Sequence, residues 1–210
     1  MISKNKNLIH LCGLLGIVSF ISYAAAVIFA PLAYPGYDWL SQAVSDLSAT
    51  SSPSAALWTQ LSSLYGIAGV TCLMMVCASV RGNPNNRLRT GIYLFTLMFW
   101  VSTAGYSMFP LTESGGGATF QDTMHLVVTG VVVVLSIVSL TLIILGKSGS
   151  LSKCAAAALA LMFIGAIGTG IAPPEYFGLF QRFSNLIAVN GFLTVLGLYL
   201  FAGRFDKDFL

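Results

Sequence analysis

Six long apolar runs separated by short polar stretches set the pattern of this chain. They cover approximately Leu8–Ala30, Leu57–Val80, Thr90–Phe109, Thr123–Gly146, Cys154–Ala172 and Ser184–Gly203. Each is close to the ~20 residues that one crossing of a bilayer core requires. Backbone groups in lipid must be satisfied inside the segment, so each run is predicted to be a helix and not a strand. The expected fold is all-α: a single polytopic transmembrane domain over residues 1–210. Proline follows each odd-numbered run, at Ala30-Pro31, Phe109-Pro110 and Ala172-Pro173-Pro174, and stops the helix there because it cannot extend the hydrogen-bond ladder. The six helices therefore read as three hairpins whose outer connections are the longer ones. Each of those connections carries a glutamine close to the next helix, Gln42, Gln121 and Gln181.

Composition narrows the class. The chain has 210 residues, 56% apolar and only 8% charged, with a mean hydropathy of +0.84. That is roughly a third of the ~25% charge content of soluble domains. Ten Lys and Arg with seven Asp and Glu cannot cover a water-facing surface, so a soluble domain, a disordered chain and a nucleic-acid binder are excluded. The cations then set orientation, because short loops rich in Lys and Arg stay cytoplasmic. Lys4, Lys6, Arg81, Arg87, Arg89, Lys147, Lys153, Arg204 and Lys207 all fall on one side once the spans alternate, and Arg182 alone falls on the other. Both termini are expected in the cytoplasm of a cell of bacterial type. Membrane lipids are the expected surroundings, and the pattern sets no oligomeric state. The first run, preceded by Lys4 and Lys6, exceeds the ~7–15 residues of an export signal and reads as an uncleaved anchor.

Five acids lie on the outer side: Asp38, Asp46, Glu113, Asp122 and Glu175; Asp206 and Asp208 lie inside. In the first outer loop Tyr37, Leu40, Val44 and Leu47 share one stripe at about 100° per residue, with Asp38, Ser41, Gln42, Ser45 and Asp46 opposite. This predicts a short amphipathic helix at the membrane surface, anchored by Tyr37 and Trp39, with residues 48–54 as a flexible polar linker. At the head of the fourth run, Asp122 and His125 are three apart and share a face. His125 sits a turn into a segment of Leu and Val, where an ionisable group is costly and faces the bundle interior or water. Before the sixth run, Arg182 needs a carboxylate partner, expected to be Asp46, Asp122 or Glu175. Asn185 lies one turn below it and Asn190 deeper. Ser45, Asp46, Asp122, His125, Glu175, Arg182 and Asn185 thus outline a polar pocket opening outward.

The pattern Tyr-Asp-x-x-Ser-x-x-x-Ser-Asp-Leu at residues 37–47, the His at the head of the fourth run, and Gly-Leu-Phe-Gln-Arg-Phe at 178–183 resemble a bacterial and archaeal membrane family, "domain of unknown function 998". The resemblance extends over essentially the whole chain and implies about six helices, with Ser45, Asp46, His125 and Arg182 as its marked positions. It implies no particular reaction. Members of that family often have an acid just before the Arg; Gln181 departs from this and leaves Arg182 more dependent on a distant carboxylate.

Three functions fit these residues. The leading one is an outward-facing pocket that binds a lipid headgroup or small solute, with Arg182 and Asn185 as donors and Asp46 as acceptor, in a sensory, binding or transport role. The absence of a Gly or Pro break in mid-span weighs against transport. The second is a membrane-embedded enzyme acting on a lipid through Ser45, Asp46 and His125, although Ser45 lacks a nucleophile-elbow context. The third is a structural network that pins the outer loop. A zinc site is not expected, since catalytic zinc takes about three protein ligands and one outer His is present. Cys12, Cys72, Cys77 and Cys154 lie in or beside spans without CxxC spacing and read as small buried hydrophobes, so no metal or cofactor is expected.

Overall fold

The computed structural model describes residues 7–146 and 149–205. Lys4, Lys6, Lys147, Asp206, Lys207 and Asp208 lie outside them. The described residues are all helix and turn, arranged as six long rods. The first joins α1 (Leu8–Cys12) and α2 (Leu15–Phe29), and ends in a 3-10 turn, Ala30–Ala33. The second joins α3 (Ala55–Leu61) and α4 (Tyr65–Val80). The next three are α5 (Asn86–Met108), α6 (Phe120–Gly146) and α7 (Ser150–Ile171). The last runs from the 3-10 turn Pro174–Tyr176 through α8 (Phe177–Arg182) and a π-helix, Phe183–Asn190, to α9 (Gly191–Phe201).

Five rods are long and apolar enough to cross a membrane. α5 is comparable in length, but Arg87, Arg89, Tyr93, Thr96, Ser102, Thr103 and Tyr106 dilute its apolar character. Large side chains such as Ile28, Ile67, Leu126, Val134 and Ile167 are exposed along the rods. A surface of that kind belongs in lipid, and the chain is a polytopic membrane protein.

Each rod packs on the next in sequence and the sixth closes on the first, with α4 also touching α9. The ring's interior is divided by height. One end carries Arg81, Arg87, Arg89, Lys153 and Arg204, and the half nearest it holds a tight apolar core: Leu73, Val76, Ile92, Phe95, Leu140, Ile143, Leu196 and Leu200 are all fully buried. The other half is lined instead by Tyr23, Tyr65, Ser102, Tyr106, His125, Asn185 and Asn190. Close approach of the fifth and sixth rods depends on Gly165, where a Cβ would run into the Ser184 hydroxyl and the Phe180 carbonyl, as small residues in membrane interfaces allow.

Several elements depart from the sequence-based expectation. The predicted amphipathic helix in the first outer loop is absent; residues 34–43 form successive turns, and only Val44–Ser48 winds, as a 3-10 turn. Its cause is local: Asp38 accepts from the Leu40 N–H (3.0 Å) and the Ser41 hydroxyl (2.5 Å), while Gln42 Oε1 takes the Asp38 N–H (2.7 Å). Such side-chain bonds compete with the helical ladder. Residues 48–54 are no flexible linker, since the Thr50 and Ser51 N–H groups donate to the Leu111 and Thr112 carbonyls (2.8 and 3.2 Å). Ser54 is fully buried and its hydroxyl donates to the Leu47 carbonyl.

The rods are also less continuous than the pattern implies. The second rod breaks at Ser62–Leu64, where buried serines of α2 bond the carbonyls on either side. Ser22 donates to Leu61 O (2.6 Å) and Ser19 to Tyr65 O (2.7 Å). The sixth rod widens into its π-helix without any Gly or Pro inside it.

Candidate functional site

The three outer connections knit into one cap over the polar half of the ring. Gly115 N–H donates to Asp46 Oδ1 (2.9 Å), Val44 N–H to Gln181 Oε1 (2.7 Å), and Leu179 N–H to Leu40 O (2.9 Å). Tyr34 and Ser114 share a hydroxyl–hydroxyl bond of 2.7 Å. All three glutamines act as ties, with Gln121 Nε2 donating to Pro110 O (2.6 Å).

Asp46 is buried beneath this cap, 4% exposed. Its second oxygen accepts the Ala43 N–H (3.1 Å), so both oxygens hold backbone. Asp122, also buried, accepts from the Thr112 N–H (2.8 Å) and hydroxyl (2.7 Å) and from the Thr119 hydroxyl (2.5 Å). It organises the connection that precedes its own helix, as acids at helix N-termini do. His125 Nδ1 bonds Phe109 O (2.8 Å), and its ring lies on Tyr106 with centroids 4.7 Å apart. A carbonyl only accepts, so Nδ1 carries the proton of this bond. No hydrogen bond joins Ser45, Asp46 and His125 among the described residues, and Glu175 is exposed on its 3-10 turn.

Arg182 is 2% exposed, and the expected carboxylate partner is not there. Nη1 donates to Gly178 O (2.8 Å) and Gln42 O (3.2 Å), Nη2 donates to the Tyr37 hydroxyl (2.8 Å), and the guanidinium sits 4.3 Å from the Trp39 ring centroid. Every partner is neutral. Asp46 and Asp122 are already occupied by N–H and O–H donors, and no ion pair to Arg182 forms among the described residues. Gly178 makes this docking possible: a Cβ there would strike Gln42 O and crowd Nη1 (2.9 Å) and Leu40 O (2.9 Å). Tyr37 donates onward to Ala43 O (2.8 Å). Burial pushes its phenol pKa up, against the lowering effect of Arg182.

Below Arg182 the sequence pointed to Asn185 and Asn190 but gave no reason to join them to tyrosines of other rods. Asn190 Nδ2 donates to the Asn185 carbonyl (2.8 Å). The Tyr65 hydroxyl faces Ser102 and Asn190. Tyr65 packs on Tyr23 at 4.7 Å between centroids. Buried Arg182 Nε, Asn185 Oδ1 and Asn190 Oδ1 have no hydrogen-bond partner among the described residues.

A family model for proteins of unknown function, DUF998, matches residues 17–199. The chain belongs to the DUF998 family. A comparison with curated proteins and with solved structures finds no match. The DUF998 match takes in the first outer loop, the head of α6 and the whole of α8 and the π-helix, and so includes every candidate residue. Of those, the geometry ties Arg182 to the first outer loop and Asn185 to Asn190, while Asp122 and His125 serve their own hairpin. The tyrosines at 23, 37, 65 and 106 were missed as a group, because aromatics scattered over three rods and a loop share no spacing.

Proposed function

We propose that this DUF998 protein is a six-span bundle of the cytoplasmic membrane, three hairpins with both termini inside, that binds a small polar molecule or lipid headgroup in the outer half of its interior. The single observation that supports this is the run of unpartnered polar atoms at Arg182, Asn185 and Asn190. More than nine in ten buried polar groups in folded proteins have a partner, and an unmet one in lipid costs several kcal/mol. Three on one short segment, at a π-helix of the kind that clusters at functional sites, are groups waiting for a ligand.

On this reading Asp46, Asp122 and His125 are scaffold that shapes the cap, with Ser45 and Glu175 outside the contact surface. Arg182 and Asn185 face the ligand. The break at Ser62–Leu64 supplies a discontinuous helix of the kind on which transporters build binding sites, so a transport role gains weight beside a sensory one. Native mass spectrometry of the gently solubilised full chain tests the reading. One stoichiometric retained species is expected; bare protein, or bulk lipids in bulk proportions, would overturn it.

A further inference from the structure

The chemistry of the occupant can be narrowed, on the reading that the region binds a ligand at all. Arg182 is a permanent cation with four neutral partners and no carboxylate among the described residues. A buried charge without a counter-charge is strongly disfavoured in a low-dielectric interior. Its remaining Nε–H needs an acceptor. Asn185 Oδ1 and Asn190 Oδ1 need the opposite, two donors. The Tyr23 and Tyr65 hydroxyls add groups that can serve either way. A neutral polyol would satisfy the amides and leave the guanidinium uncompensated. A cation would be repelled by Arg182. A bare anion would pair with Arg182 and leave the two amide oxygens empty.

We propose that Arg182, Asn185 and Asn190 form a site for an anionic group, phosphate or carboxylate, that carries its own hydroxyl or amine donors one or two bonds away. The anion pairs with Arg182 Nε, and the donors reach the two Asn oxygens, with Tyr65 beside Asn190 closing the far end. Two sources share this chemistry: the headgroup of an anionic glycerophospholipid and a small free solute such as a sugar or glycerol phosphate.

The test is thermal denaturation of the purified full chain with four probes that separate charge from donors. Glycerol 3-phosphate and phosphatidylglycerol have both, glycerol has donors alone, and phosphatidylcholine has a phosphate without donors. A ligand that binds only the folded state raises its melting midpoint. The expected result is a rise of several degrees with phosphatidylglycerol or glycerol 3-phosphate, and none with glycerol or phosphatidylcholine. A response confined to phosphatidylglycerol assigns the lipid headgroup, and one that includes glycerol 3-phosphate assigns a free solute. Asn185→Leu should abolish the rise while leaving the unliganded midpoint close to wild type, because it removes an orphaned acceptor; Asn190→Leu should abolish the rise as well but lower the midpoint, because its Nδ2 also donates to the Asn185 carbonyl. A merely structural Asn185 would lower the midpoint of its variant instead.

Equal rises with glycerol or phosphatidylcholine, or a rise that survives Asn190→Leu, would overturn the proposal while leaving the binding reading in place. If no probe acts, the species retained in native mass spectrometry decides. An anion bearing hydroxyl or amine groups supports the proposal, and a neutral or cationic species overturns it. Nothing retained removes the binding reading itself.

Discussion

A guanidinium held between two backbone carbonyls, a phenol and an indole is fixed by its planar fork as much as by its charge. Lysine cannot reproduce that fork from Arg182. Arg182→Lys is therefore expected to undock the first outer loop, losing contacts that contribute about 1.5–3 kcal/mol each where the group is charged. Limited proteolysis should then cut between residues 37 and 54, a stretch expected to stay intact in the parent protein. Asp46→Asn probes a different function of the cap. An amide turned toward two N–H donors loses one bond and costs about 1–3 kcal/mol, so the melting midpoint should fall while the surviving folded protein still retains its ligand. Lost ligand with an unchanged midpoint would move Asp46 from scaffold to binding site. Acid tests the same loop through Asp38, whose carboxyl is held below the usual range by the Ser41 hydroxyl and then the Leu40 N–H. That stabilisation is complete above the ordinary carboxylate pKa of about 4 and is lost as the pH falls through the lower, folded value. Protease sensitivity of the loop should accordingly rise in acid. The sequence marks these polar residues because polarity near lipid is costly wherever it occurs. It does not reveal their partners, since backbone carbonyls such as Gln42 O and Gly178 O have no sequence signature.

At the scale of elements, apolar length made the rods legible, whereas their breaks depend on atoms supplied by other rods. Nothing at Ser62-Ser63-Leu64 compels an interruption in a lipid-facing helix. Ser22 and Ser19, some forty residues away in sequence, brace it from α2: Ser22 donates to the Leu61 carbonyl that ends α3, and Ser19 to the Tyr65 carbonyl that begins α4. Ser19→Ala with Ser22→Ala should remove two buried bonds at about 1 kcal/mol each, lowering the melting midpoint and loosening α3 against α2. Amide exchange concentrated at residues 61–66 would be its signature, and exchange unchanged there would show that the break is fixed by other contacts. The first outer loop misled for the complementary reason. Its apolar stripe has helical spacing, yet Asp38, Ser41 and Gln42 satisfy the backbone locally and leave Trp39 free to cover Arg182. Periodicity reports which faces are apolar, and it is silent where short polar side chains outcompete the ladder.

At the scale of the whole molecule, charge and polarity are segregated along one axis, and this gives the topology its sharpest test. Arg81, Arg87, Arg89, Lys153 and Arg204 gather at the end beneath the apolar core, while the cap and the unpartnered atoms of Arg182, Asn185 and Asn190 lie at the other. On the proposed orientation, which follows the insertion rule, the cationic end is cytoplasmic and the polar half opens outward, toward external solutes and the outer leaflet. Single cysteines at exposed Glu113 and Glu175, in a chain whose four native cysteines are replaced by Ala, should react in intact cells with a membrane-impermeant maleimide. Cysteines at Arg87 and Lys153 should react only after the membrane is permeabilised. The reverse pattern would put the site on the cytoplasmic side and make its ligand an internal metabolite or inner-leaflet lipid. Reaction at both ends in intact cells would mean that the bundle inserts in two orientations. Only the expected pattern is compatible with a binding region that samples the outside of the cell, because a cap of three interlocked connections can admit a ligand only from the side it faces or laterally from the adjoining leaflet.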